Sequence, residues 1–112
     1  MSSTSEQSET SAEEQNAEAC PVVEAVEKIG SQWRLVVLHD LADSEKRFNE
    51  LKRSTGASSR TLSRVLDDLQ EAGLVDRRVE DRPLATYYSL TEKGRSLGPV
   101  FADLKGWADE WL

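Results

Sequence analysis

The sequence predicts an α+β fold that is mostly helical: four helical segments, a β-hairpin and a last helix. Three observations predict it. Apolar residues recur at helical spacing from Val22 to Leu69. Two strand-like runs then flank the turn residues "DRPL". Helical spacing returns from Leu97 onward.

Each element has a local cause. Pro21 suits a first helical turn, and Val22, Val23, Val26 and Ile29 form a stripe that Gly30 ends. Ser31 is placed to cap a second helix through Trp33, Leu35, Val36, Val37, Leu38 and Leu41. That helix is apolar on most sides and is expected at the centre of the core. Phe48 and Leu51 anchor a short third helix, with Lys52 and Arg53 outside and Gly56 at its end. Ser58 or Ser59 is the natural N-cap of the fourth. Leu62, Val65, Leu66 and Leu69 fall at i, i+3, i+4 and i+7, one buried stripe. The opposite side carries Ser59, Arg60, Ser63, Arg64 and Asp67, and Gly73 forces a turn.

"LVDRRVE" alternates, with Val75, Arg77 and Val79 set against Asp76, Arg78 and Glu80. "ATYYSL" is rich in strand formers, so the two runs read as a hairpin. Thr91 caps the last helix. Gly98-Pro99 lies inside its pattern, and a proline costs ~3 kcal/mol in a helix interior, so a kink or restart is expected there. Two helices joined by a Gly-containing turn and followed by a hairpin make a winged helix-turn-helix.

Charge divides the chain. Residues 1–20 hold five Glu and no Lys or Arg. Without them the formal charge falls from −7 to −2, with 16 acidic against 14 basic residues. Within 46–66, six basic residues face only Glu50, a local +5. A ligand beyond a Debye length of about 8–10 Å feels only such a local field. Residues 1–19 are expected to form a disordered acidic tail. Residues 20–112 are expected to form one winged helix-turn-helix domain for DNA binding and dimerisation.

The residue chemistry points to double-stranded DNA. Ser58, Ser59, Arg60, Thr61, Ser63 and Arg64 make a basic, hydroxylated helix start that suits base edges and phosphates. Arg47, Lys52 and Arg53 are candidate phosphate anchors, and Arg77, Arg78 and Arg82 are wing candidates. Asp76, Glu80 and Asp81 are alternative partners for those three arginines. The acidic second half of the fourth helix, with Asp67, Asp68 and Glu71, is expected to tilt away from DNA, because the N-terminal residues of such a helix do the reading.

Trp107 and Trp111 are four apart on a wide apolar face. A homodimer would bury that face, using Phe101, Leu104, Trp107 and Trp111 with Val22, Val23 and Val26 of the first helix. Packing within one protomer is the alternative. Cys20, the only thiol, stands at a helix start, where the dipole favours a thiolate, and reads either as a redox sensor or as a small hydrophobe.

Several classes are excluded or disfavoured. His39-Asp40 invites a metal reading, but such sites need several ligands and the chain has one His. There is no Gly-rich phosphate loop, no paired nucleophile and base, and no CxxC motif, so neither an enzyme nor a cofactor is expected. No apolar run approaches the ~20 residues that span a bilayer, and no membrane association is expected. With one cysteine and no signal-like start, a cytoplasmic location is expected. The net negative charge keeps open a winged helix that binds proteins and no DNA.

"CPVVEAVEKIGSQWRLVVLHDL" resembles the opening of the HxlR-type winged-helix transcription regulators, in its Cys-Pro step and its Gly-x-x-Trp step. "RFNELKRSTGASSRTLSRVLDDLQEAGLV" is similar to that family's helix-turn-helix, and "YYSLTEKGRSLGPVFADLKGW" to its junction of strand and final helix. The resemblance covers about residues 20–112. It implies a homodimer built from the first and last helices, the fourth helix in the major groove and the hairpin as wing. It also implies, for some members, sensing of an electrophile or oxidant through the N-terminal cysteine. The acidic residues 1–19 and the short wing "EDRPLATYY", with Arg82 as its only arginine, depart from the family's pattern.

Overall fold

The computed structural model describes residues 20–112; the expected acidic tail, residues 1–19, lies outside them. The described residues fall into two units, one ending at Gly30 and the other Ser31–Leu112. The first contains α1 (Pro21–Ile29), which begins at proline as expected and buries none of its residues. Val22 and Val26 are well exposed.

The second unit runs α2 (Gln32–Asp40), β1 (Lys46–Arg47), α3 (Phe48–Thr55), α4 (Ser59–Glu71), β2 (Val75–Asp81), β3 (Leu84–Leu90), α5 (Glu92–Arg95) and α6 (Gly98–Trp111). Three of these helices, α2, α4 and α5, are capped by a local hydroxyl. Ser31 accepts from the Arg34 amide, Ser58 from Thr61 and Thr91 from Gly94. These bonds satisfy amides that a helix start otherwise leaves unpaired.

The core is the convergence of α2, α3, α4 and the sheet. Val37, Leu38 and Leu41 meet Leu51 and the full predicted stripe of α4, with Leu74, Val75, Tyr88 and Leu90 from the sheet side. Leu62, Leu66 and Leu69 are 0–1% exposed. Burying each such leucine contributes about 1.5–3 kcal/mol, so this stripe sets how α4 is rotated.

Three details differ from or sharpen the sequence reading. Lys46-Arg47, to which the sequence reading assigned no element, form a short strand, which makes a three-stranded antiparallel sheet of order β1-β3-β2. Lys46 stands opposite Tyr88 and Arg47 opposite Tyr87. The alternation in β2 buries only Val75, and Val79 is 46% exposed, because the hairpin projects beyond the core. At Gly98-Pro99 the chain restarts, giving α5 and α6 instead of one helix.

Two joints hold these parts in place. At the end of α2, Asp40 accepts hydrogen bonds from Lys46 Nζ at 3.0 Å and from the Ser54 hydroxyl, tying α2 to β1 and α3. At the end of α4, Thr91 donates to the Gly73 carbonyl at 2.6 Å and Lys93 donates to that of Ala72 at 2.8 Å. Gly94 packs so closely that a Cβ there would lie 2.2 Å from the Leu74 carbonyl oxygen. Among the described residues, no helix is long and apolar enough to cross a membrane.

Candidate nucleic-acid interface

The turn between α3 and α4 creates the surface. Gly56 adopts φ +77°, a left-handed conformation that costs other residues about 1–2 kcal/mol, and the chain reverses there into the Ser58 cap. Ala57 is buried and pins the turn to the core. With the leucine stripe inward, Ser59, Arg60, Ser63 and Arg64 are exposed on the far side. Thr61 is half-buried and accepts from the Ser58 hydroxyl at 3.1 Å. Among the described residues neither Arg60 nor Arg64 forms an ion pair.

The acidic half of α4 is handled differently. Asp68 is half-buried and pairs with Arg34 of α2 at 3.1 Å. Asp67 and Glu71 are exposed. Helix α4 is thus polarised along its length, with free guanidinium groups in its first half and a bound carboxylate in its second.

Next to this helix start lies a broad depression of about 1030 Å³, lined by Arg47, Asn49, Lys52, Arg53, Ala57 and Tyr87 among others. Arg47 is the N-cap of α3, and its backbone amide donates to Glu50 Oε1 at 3.0 Å. Lys52 and Arg53 stand exposed in the last turn of α3, where positive charge favours the helix dipole. The structure thus gathers all three predicted phosphate anchors beside the predicted reading face.

The wing arginines separate into two kinds. Arg78 is held by Glu45 at 2.9 Å and by Glu80. Its guanidinium is held above its ordinary range, first by the hydrogen bond to Glu80. Arg77 and Arg82 are exposed and, among the described residues, without an ion pair. Arg82 opens the turn through a cis peptide bond to Pro83.

Sequence reasoning missed Tyr87 and Glu45. Arg47 donates to the Tyr87 phenol oxygen at 3.1 Å, and that contact is the first cause holding its guanidinium above its ordinary range. Nothing local marks Tyr87, because its partner lies 40 residues earlier.

The remaining candidates lie elsewhere. Cys20 is the N-cap of α1, a half-buried free thiol whose side chain makes no capping bond. On α6, Phe101 is half-buried, whereas Leu104, Trp107 and Trp111 are 56%, 55% and 68% exposed.

The profile of the HxlR-like helix-turn-helix family matches residues 28–112. The chain belongs to this family. As an HxlR-like protein it is a transcription regulator and not an enzyme. It is 36% identical over 96 residues to the HTH-type transcriptional regulator YybR of Bacillus subtilis, covering 84% of this chain and 77% of that one. The reduced form of the transcriptional regulator YodB from B. subtilis superimposes with a TM-score of 0.77 at 35% identity, covering 82% of this chain and 93% of that one. YodB is also known in diamide-treated and quinone-bound forms. The redox regulator HypR in its oxidised form gives a TM-score of 0.72 at 35% identity, over 81% and 96% of the two chains. These neighbours share the winged-helix architecture described above.

Proposed function

We propose that the chain is a homodimeric, cytoplasmic DNA-binding regulator that reads a pseudo-palindromic operator and responds to oxidants or electrophiles through Cys20. The observation that carries the DNA reading is the exposed, unpaired Arg60–Arg64 face beside the depression lined by Arg47, Lys52 and Arg53. Arginine pairs bidentately with guanine or with phosphate, and serine and threonine reach either. The first half of α4 enters the groove, the depression follows the phosphate backbone and Arg82 leads the wing. The exposed Leu104, Trp107 and Trp111 are the self-association face, with α1 contributing Val22, Val23 and Val26.

Cys20 is a half-buried free thiol at the N-cap of α1, with no capping bond to hold its side chain. The redox states in which YodB and HypR are known support a thiol-based response here.

The test is binding of the full chain to the DNA upstream of its own coding sequence, followed by fluorescence anisotropy across salt concentrations. Affinity falls steeply with salt if phosphates are neutralised. No binding to any upstream fragment, or binding indifferent to salt, rejects the DNA reading. Diamide or a quinone changes that affinity in the wild type and leaves Cys20→Ser unaffected. An unaltered response in Cys20→Ser removes Cys20 as the sensor.

A further inference from the structure

Tyr87 is the centre of a row that crosses all three strands. It stands opposite Arg47 of β1 and opposite Arg78 of β2. Directly opposed residues present their side chains on one face of the sheet, within reach of each other. The Arg47 guanidinium carbon lies 5.3 Å from the Tyr87 ring centroid and that of Arg78 lies 4.6 Å away. Both are inside the ~6 Å over which a ring face attracts a cation.

The two arginines differ in what balances their charge. Arg78 is neutralised by Glu45 and Glu80. Among the described residues Arg47 forms no ion pair; its backbone amide donates to Glu50, and Glu50 and Glu80 attract its guanidinium less than Tyr87 does. The guanidinium of Arg47 is instead held by a neutral ring and a neutral phenol oxygen, at the wall of the basic depression. A carboxylate would orient the same side chain and cancel its charge. A tyrosine orients it and leaves the charge for an anion. A free arginine loses rotamer freedom when it binds, and one already held loses less.

We infer that Tyr87 is a positioning residue for nucleic-acid binding: its ring and hydroxyl hold Arg47 in the orientation that meets a phosphate. This rests on the DNA reading above. Arg78, fixed by its two carboxylates, closes the other side of the ring and keeps the wing base in register with the start of α3.

The experiment measures anisotropy with the upstream duplex across salt for the wild type, Tyr87→Phe, Tyr87→Leu, Arg47→Ala and the double variant Arg47→Ala/Tyr87→Leu. Tyr87→Leu weakens binding about five-fold and lowers the slope of log affinity against log salt by about one, as Arg47→Ala does. Tyr87→Phe keeps the stacked ring and loses the hydroxyl bond, and its affinity falls between the wild type and Tyr87→Leu. In the Arg47→Ala background, Tyr87→Leu changes nothing further. In the free protein, the Arg47 Nε–Hε resonance is distinct in the wild type and in Tyr87→Phe and is averaged in Tyr87→Leu. Should Tyr87→Leu fail to fold, Tyr87→Thr replaces it, as a strand former without a ring.

Wild-type affinity in the ring-less variant overturns the inference, as does a loss of full size in the Arg47→Ala background. Either result leaves the DNA reading standing. A wild type that binds no DNA rejects that reading and the phosphate role together. The Arg47 resonance then reports the ring contact alone.

Discussion

Arg34 of α2 meets Asp68 of α4 across 3.1 Å. Asp68 is four residues beyond Arg64, the spacing at which two helical side chains can pair. By engaging Asp68 from another helix, Arg34 leaves Arg64 uncompensated. Charge on the reading face is therefore set by a residue that lies outside it.

Arg34→Ala accordingly has two effects. It lowers stability by about 0.5–1 kcal/mol, the size expected of a partly exposed pair. It also releases Asp68 toward Arg64 and weakens DNA binding about two-fold. Adding Asp68→Asn restores the affinity and not the stability. Urea unfolding and anisotropy on the same samples separate the two, and an affinity that Asp68→Asn does not restore contradicts the coupling.

Arg60→Ala and Arg64→Ala each cost ~1–3 kcal/mol of specific affinity if the guanidinium groups contact base edges. Selection of bound sequences from a random pool then shows relaxed preference at the contacted positions. Retention of the full preference in the double variant assigns both arginines to phosphates only.

Two glycines differ in why they are required. At Gly56 a Cβ meets nothing within 4 Å, so Gly56→Ala suffers only the left-handed backbone, about 1–2 kcal/mol. At Gly94 the new Cβ collides with the Leu74 carbonyl oxygen at 2.2 Å and crowds Leu90 at 3.3 Å. Gly94→Ala is therefore the more damaging, with a loss above ~2 kcal/mol and a displaced α5. Chemical unfolding of the two variants ranks them, and the reverse order refutes this assignment.

Trp107 and Trp111 are more than half exposed on α6. Their joint replacement by Ala reduces a dimer to monomers in sedimentation, because large aromatic side chains dominate such interfaces. A variant that sediments as the wild type does places the self-association surface elsewhere.

Much of the architecture was legible because its causes are local. The i, i+3, i+4, i+7 run from Leu62 to Leu69 identified both α4 and its buried side. Ser31 and Thr91 announced their caps three residues ahead of the amides they accept from, and of the two serines offered for α4 the structure uses Ser58. Gly98-Pro99 announced the break before α6. Strand β1 was not legible. Two residues carry no periodicity, and Lys46-Arg47 become a strand only through β3, some 40 residues later in the chain.

The interface divides in the same way. Which side of α4 faces outward follows from the helix's own residues, because burying the leucine stripe leaves Arg60 and Arg64 no other place. The basic character of 46–66 against an acidic whole is likewise a matter of composition. Which charges stay free depends on the assembled fold. Arg78 is claimed by Glu45 and Glu80, Asp68 by Arg34, and Arg47 by the uncharged Tyr87. Periodicity fixes a direction for each side chain along its own helix or strand. Pairing is a property of distance in space, and distance is set by how the strands and helices come together.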